Sequence, residues 1–269
     1  MSFRFARAPF PLLIAFVLAA ALGGCAKDRA ETTGSISQSA TLAPPDWRRR
    51  AEALGEQYNK NPNDPQIAIA YAHALRGNDQ QAQAAAVLQQ ASIKHPRNRA
   101  VLGAYGRALA DTGQYQQAFD VLSRAHTPDN PDWRILNAQG TVLDQMGRHA
   151  QARRYYDTAL KIAPNEPSIL SNLGLSYLLT HDLPRAEKAL RTASVQPHAE
   201  PKVKQNLALV LGMEGKMAEA EKVAAGNLPP EQAEARVAEL RATLAQQNAQ
   251  HEQRNPWKIL RQQKTASNS

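Results

Sequence analysis

The sequence predicts an all-α solenoid built from repeated helical hairpins. Three observations predict it. First, rows started at Pro65, Arg99, Trp133, Pro167 and Pro201 agree with one another at a constant interval of 34 residues. Second, small residues recur in fixed columns: Ala84, Ala118, Ala152, Ala186 and Ala220 at the twentieth place, and Ala72, Gly106, Gly140, Gly174 and Ala208 at the eighth. Third, turn signals fall at matching points inside the rows, as "RGND" at 76–79, "DTGQ" at 111–114, "QMGR" at 145–148 and "MEGK" at 213–216. Small residues at those spacings let helices approach closely, and larger ones such as Leu88, Leu122, Tyr156 and Leu190 fill the space between them.

The elements follow in chain order. Arg4 and Arg7 precede an apolar run, "FPLLIAFVLAAAL" at 10–22, which has the length of a secretory h-region and falls short of the ~20 residues of a membrane span. Leu22-Gly23-Gly24-Cys25 then holds the single cysteine of the 269 residues. Together these resemble a bacterial lipoprotein signal, 1–24, with its lipobox. The resemblance implies lipidation at Cys25 and a mature chain that starts there. A single thiol excludes a disulfide framework and a cysteine metal site. Two or three acyl chains, at about 0.8 kcal/mol for each buried methylene, would supply the membrane attachment. The stretch 25–45, "CAKDRAETTGSISQSATLAPP", is small and polar; it cannot bury enough surface to order itself, so it reads as a flexible tether.

Residues 46–64 read as an N-terminal cap helix, with Asp46 as its N-cap and Leu54 and Tyr58 turned toward the repeats. Five repeats occupy 65–228. A C-terminal cap helix follows over 229–247, with Ala233, Val237, Leu240 and Leu244 on its apolar face, and 248–269 is a polar tail interrupted by "PWKIL".

Row length and columns resemble the tetratricopeptide repeat, a helix-turn-helix solenoid. The resemblance implies that the first helix of each row lines a concave groove, chiefly through row places 2, 5, 9, 12 and 13. In rows one and two these carry Gln66, Ile69, His73, Arg76, Arg107 and Asp111, and in row three Arg134, Asn137, Thr141, Asp144 and Gln145. That half is polar. Row four offers Ser168, Ser171, Leu175, Leu178 and Leu179, and row five Lys202, Gln205, Leu209 and Met213. That half is apolar and calls for a cover, either a bound peptide or the chain's own cap or tail. The expected peptide groove is therefore Arg107, Arg134, Asn137, Thr141, Ser171, Leu175, Leu178, Leu179, Gln205, Leu209 and Met213. A clamp for a chain-end carboxylate is only partly matched, by Asn172 and Lys202.

Nothing in the sequence points to catalysis, a cofactor or a metal. The seven histidines have no i, i+4 partners, "HEQRN" at 251–255 lacks the second histidine of a zinc-protease helix, and "GMEGK" at 212–216 has the wrong spacing for a phosphate loop. The excess of 32 Lys+Arg over 24 Asp+Glu fits a solvated surface, and an exported chain is not expected to meet nucleic acid. A lipobox, a polar tether and about five repeats are similar in layout to the TadD lipoproteins of tight-adherence (Flp) pilus systems. That resemblance implies a periplasm-facing, outer-membrane adaptor with a pilotin-like role toward the secretin. A type IV pilus pilotin and an adaptor for peptidoglycan enzymes are the alternatives.

Overall fold

The structure, a computed structural model, describes residues 46–253. The expected signal, Cys25, the tether and "PWKIL" lie outside the described residues. Within them the chain runs α1 (Trp47–Lys60), α2 (Pro65–Gly77), α3 (Gln81–Lys94), α4 (Arg99–Asp111), α5 (Tyr115–Ser123), α6 (Trp133–Gln145), α7 (His149–Ile162), α8 (Pro167–Leu179), α9 (Leu183–Ser194), α10 (Pro201–Met213), α11 (Met217–Ala225) and α12 (Pro230–Gln253). The fold is all-α. Each first helix of a pair, α2, α4, α6, α8 and α10, begins on the residue that opens a row of the sequence.

Local chemistry accounts for those starts. The side chain just before the helix accepts hydrogen bonds from its free N–H groups: Asp64 from Gln66 and Ile67, Asn98 from Ala100 and Val101, Asp132 from Arg134, Glu166 from Ser168. Proline at the first helical position of α2, α8 and α10 has no N–H to satisfy. The first helices stop by a shared device as well. In all five rows the sixteenth N–H donates to the eleventh carbonyl, as Gln80 to Leu75, Gln114 to Leu109, Arg148 to Leu143, Asp182 to Tyr177 and Lys216 to Leu211. This closure needs a left-handed residue at the fifteenth place. Gly113, Gly147 and Gly215 supply it, and Asp79 and His181 adopt it at φ 57° and 58°.

The columns then become contacts. Alanine at the twentieth place is fully buried in every row, Ala84, Ala118, Ala152, Ala186 and Ala220 all at 0 % exposure. Glycine at the eighth place receives the large residue of the second helix. A Cβ on Gly106, Gly140 or Gly174 would stand 2.5, 2.4 or 2.6 Å from Leu122, Tyr156 or Leu190. Those side chains are fully buried, worth roughly 1.5–3 kcal/mol each.

First helices also touch one another across rows, α2 with α4, α4 with α6, α6 with α8 and α8 with α10, whereas the second helices stand farther apart. The stack therefore curves with its first helices on the inner face. Its ends are closed by helices that resemble half a repeat. α1 lays Trp47 over Gly77 and packs Leu54 and Tyr58 on the core. α12 buries Leu240 and Leu244 against α10 and α11. It continues past Gln247 to Gln253, because residues 245–253 are alanine, glutamine and other helix-compatible types with no glycine or proline.

Candidate protein-binding groove

The inner face is where side chains of successive first helices meet, and its expected residues divide into three groups. In the first rows the polar residues do line the face. Arg76 forms an ion pair with Asp111 between α2 and α4. Asn172 donates to Asn137 at 3.0 Å and to Thr141 at 3.4 Å between α8 and α6. Arg107, Arg134, Asn137 and Thr141 border one cleft of about 220 Å3 with Arg76 and Asp111. Arg134 lies over the Trp133 ring, 4.3 Å from its centroid.

Two expected groove residues are buried instead. Ser171 is 4 % exposed, sunk in the seam between α8 and the start of α10. Asp144 is 9 % exposed and accepts from Tyr156 at 2.9 Å and Ser176 at 2.8 Å, with His149 Nδ1 at 2.9 Å. Burial beside this carboxylate pushes the Tyr156 phenol above its usual range. Asp144 thus ties rows three and four together from inside. The trio Asp144, His149 and Ser176 is no nucleophilic site: the fully buried serine donates to the aspartate and not to the histidine. Among the described residues, no three His, Cys, Asp or Glu side chains are grouped to hold a metal ion.

The apolar half is narrower than the spacing predicts. Leu179 is 60 % exposed at the end of α8, and Leu175 and Gln205 stand at the surface, Leu175 half-buried. Leu178, Leu209 and Met213 pack partly on the core of rows four and five. In row five the reason is α12: Leu244 seats over Gly212, where a Cβ would be 2.4 Å away, and Leu240 shares a cleft of about 140 Å3 with Leu209. The chain's own cap helix supplies part of the cover.

A feature outside the row pattern lies beside α4. Helix α5 has 9 residues where α3 and α7 have 14, and Pro128 and Pro131 keep the chain irregular up to α6. The loop 124–132 thereby rims a second cleft, of about 430 Å3, lined by Arg99, Arg107, His126, Asn130, Asp132 and Arg134. His126 Nε2 contacts Gln139 at 3.0 Å, and its buried Nδ1 has no partner among the described residues.

Paired helices at a constant period, with an inner face carrying clefts, define a helical-repeat binding scaffold. The family model of the tetratricopeptide repeat matches residues 68–132 and 137–197. These two stretches are tetratricopeptide repeats, and such repeats typically form non-catalytic scaffolds that bind proteins or peptides. No curated protein matches the chain in sequence. Among solved structures, the Cut9–Hcn1 hetero-tetramer of the APC/C is similar over 77 % of this chain with TM-score 0.61 and 14 % identity; the chain spans 40 % of that protein's length. PilF of Pseudomonas aeruginosa is similar over 73 % of this chain and 91 % of its own, with TM-score 0.54 and 18 % identity. PilW, a widely conserved type IV pilus biogenesis factor, is similar over 71 % and 90 %, with TM-score 0.57 and 16 % identity. At these identities the likeness is one of fold.

Proposed function

We propose that this protein is a lipid-anchored adaptor of the cell envelope, held through Cys25 at the outer membrane and facing the periplasm. Its groove holds a component of a tight-adherence pilus machine, and its role toward the outer-membrane secretin is pilotin-like. The observation that carries the reading is the sequence order: a lipobox, a polar tether, then directly a repeat scaffold with an inner face that is polar and basic at one end and apolar at the other. A scaffold of this kind, tethered by lipid, acts by holding a partner near the membrane. PilW, which shares the fold, is a type IV pilus biogenesis factor, and this is compatible with a pilus role. Among the described residues no helix is long and apolar enough to cross a membrane.

Capture from native membranes with an affinity-tagged chain tests the reading. The wild type is expected to enrich the secretin. Leu175→Glu with Leu179→Glu should remove that enrichment while leaving helicity and Tm nearly unchanged, because Leu179 is exposed and Leu175 only half-buried. Enrichment of cell-wall hydrolases in place of pilus components would replace the pilus assignment by that of a peptidoglycan adaptor.

A further inference from the structure

Three features of the second and third repeats share one place. Arg107 sits midway along α4, half-buried, where it borders both inner clefts at once. Arg134 borders the same two clefts from α6. The loop 124–132 closes the outer edge with His126, whose inner nitrogen lacks a partner. Among the described residues Arg107 makes no hydrogen bond and no ion pair, and Arg134 has an aromatic ring as its neighbour but no carboxylate partner. The acids nearby are already engaged. Asp111 is taken by Arg76, and Asp132 caps α6 by accepting from the Arg134 backbone N–H.

We infer that Arg107 and Arg134 form a carboxylate-binding site, which takes an acidic side chain of an extended peptide lying along the inner face between α4 and α6. A guanidinium offers a planar fork of N–H donors that matches a carboxylate with two parallel hydrogen bonds. A cation drawn out of water without a partner is unfavourable in the free protein, and an incoming carboxylate relieves that cost. The surrounding charges agree. Loss of water holds the Arg107 guanidinium below the usual arginine range, with Arg76 and Arg134 adding repulsion against Asp132 and Asp111. His73, farther along the same face, is likewise held below its ordinary value by lost hydration and by Arg76, Arg50 and Arg107. The amide of Asn137 and the hydroxyl of Thr141 border the same cleft and can position the peptide backbone. The two cations come from places 9 and 2 of neighbouring rows, within α4 and at the first turn of α6.

This inference rests on the groove reading and names the chemistry of its basic half. The test uses the full chain and two short fluorescein-labelled peptides of Gly, Ser and Glu, the second with every Glu replaced by Gln. Fluorescence anisotropy at low salt is expected to show the glutamate peptide binding at least about tenfold tighter, a preference that falls as salt rises. Arg107→Met should abolish the preference while Tm stays level or rises, because it removes a half-buried cation that makes no hydrogen bond; a purely structural arginine would instead lower Tm. Arg154→Gln, on the exposed side of α7, is the control and should leave the preference intact. Equal binding of both peptides, or a preference that survives Arg107→Met, overturns the inference. So does inorganic phosphate that displaces the glutamate peptide more effectively than free glutamate does at matched ionic strength, which would make the site one for a free oxyanion. Retention of secretin capture by Arg107→Met together with its loss in Leu175→Glu/Leu179→Glu would overturn this inference alone. Capture indifferent to both variants would overturn the groove reading beneath it.

Discussion

Gly140→Ala adds one methyl group to α6 at the point where the second helix of the row comes nearest. The new Cβ would stand 2.4, 2.7 and 2.8 Å from three carbons of the Tyr156 ring. Carbon atoms settle at about 3.5–4.0 Å, so the ring must retreat by about 1 Å. It has little freedom to do so. Tyr156 is 1 % exposed, and its hydroxyl donates at 2.9 Å to Asp144, which also holds Ser176 and His149. Overpacking costs about 1–3 kcal/mol, and loosening a buried hydrogen bond roughly 1–3 kcal/mol more. Alanine recovers about 1 kcal/mol of helix propensity. The net loss is on the order of 1–5 kcal/mol, which for a domain of this size lowers Tm by about 2–20 °C. Thermal unfolding followed by far-UV circular dichroism measures it. Tyr156→Leu in the same background restores the alanine–leucine pair that row one carries at Ala72 and Leu88, and should recover part of the packing loss while leaving Asp144 short of a partner. A Tm for Gly140→Ala equal to or above the wild type would refute the argument that the eighth column is small because the second helix needs its space.

The other predictions concern the anchor, the apolar groove and an ion cluster. Cys25→Ala should leave an uncleaved precursor and abolish palmitate labelling; a labelled mutant would remove the anchor from the proposal. Leu175→Glu with Leu179→Glu should eliminate secretin capture with little change in Tm, and unfolding instead would mean that the chain itself covers those leucines. Glu187 is hydrogen-bonded by Lys216 at 2.6 Å and by Arg191 at 2.7 Å, which together hold its carboxyl at about 2 in place of 4.5. Its folded value is the lower one, so its stabilising effect is complete above pH 4.5 and disappears as pH falls toward 2. Tm measured across that window should decline less steeply for Glu187→Gln than for the wild type, and identical slopes would place the acid sensitivity elsewhere.

Much of the solenoid is legible in the sequence because its determinants are local and repeated. A cap residue, a left-handed turn residue and a small residue opposite a large one each act within one hairpin, and the first four rows display the same arrangement. Ala152 at 0 % exposure and Gly140 against Tyr156 follow from the column alone. The groove is less legible, because its residues belong to variable places whose surroundings come from other rows. Row position puts Asp144 and Ser171 on the inner face. Only the stacking of α6, α7 and α8 shows that Asp144 turns into a buried network, and only the approach of α10 shows that Ser171 is covered. Leu209 and Met213 look free in the row pattern, yet α12 docks beside them because Gly212 leaves room for Leu244. The partnerless state of Arg107 depends on where Asp111 and Asp132 spend their hydrogen bonds, and on a loop that exists because α5 ends early. Periodicity determines which faces of neighbouring helices meet. Which polar groups find partners there is decided by three-dimensional packing, since pairings such as Arg76–Asp111, Asn137–Asn172 and Asp144–Ser176 join side chains about one whole repeat apart.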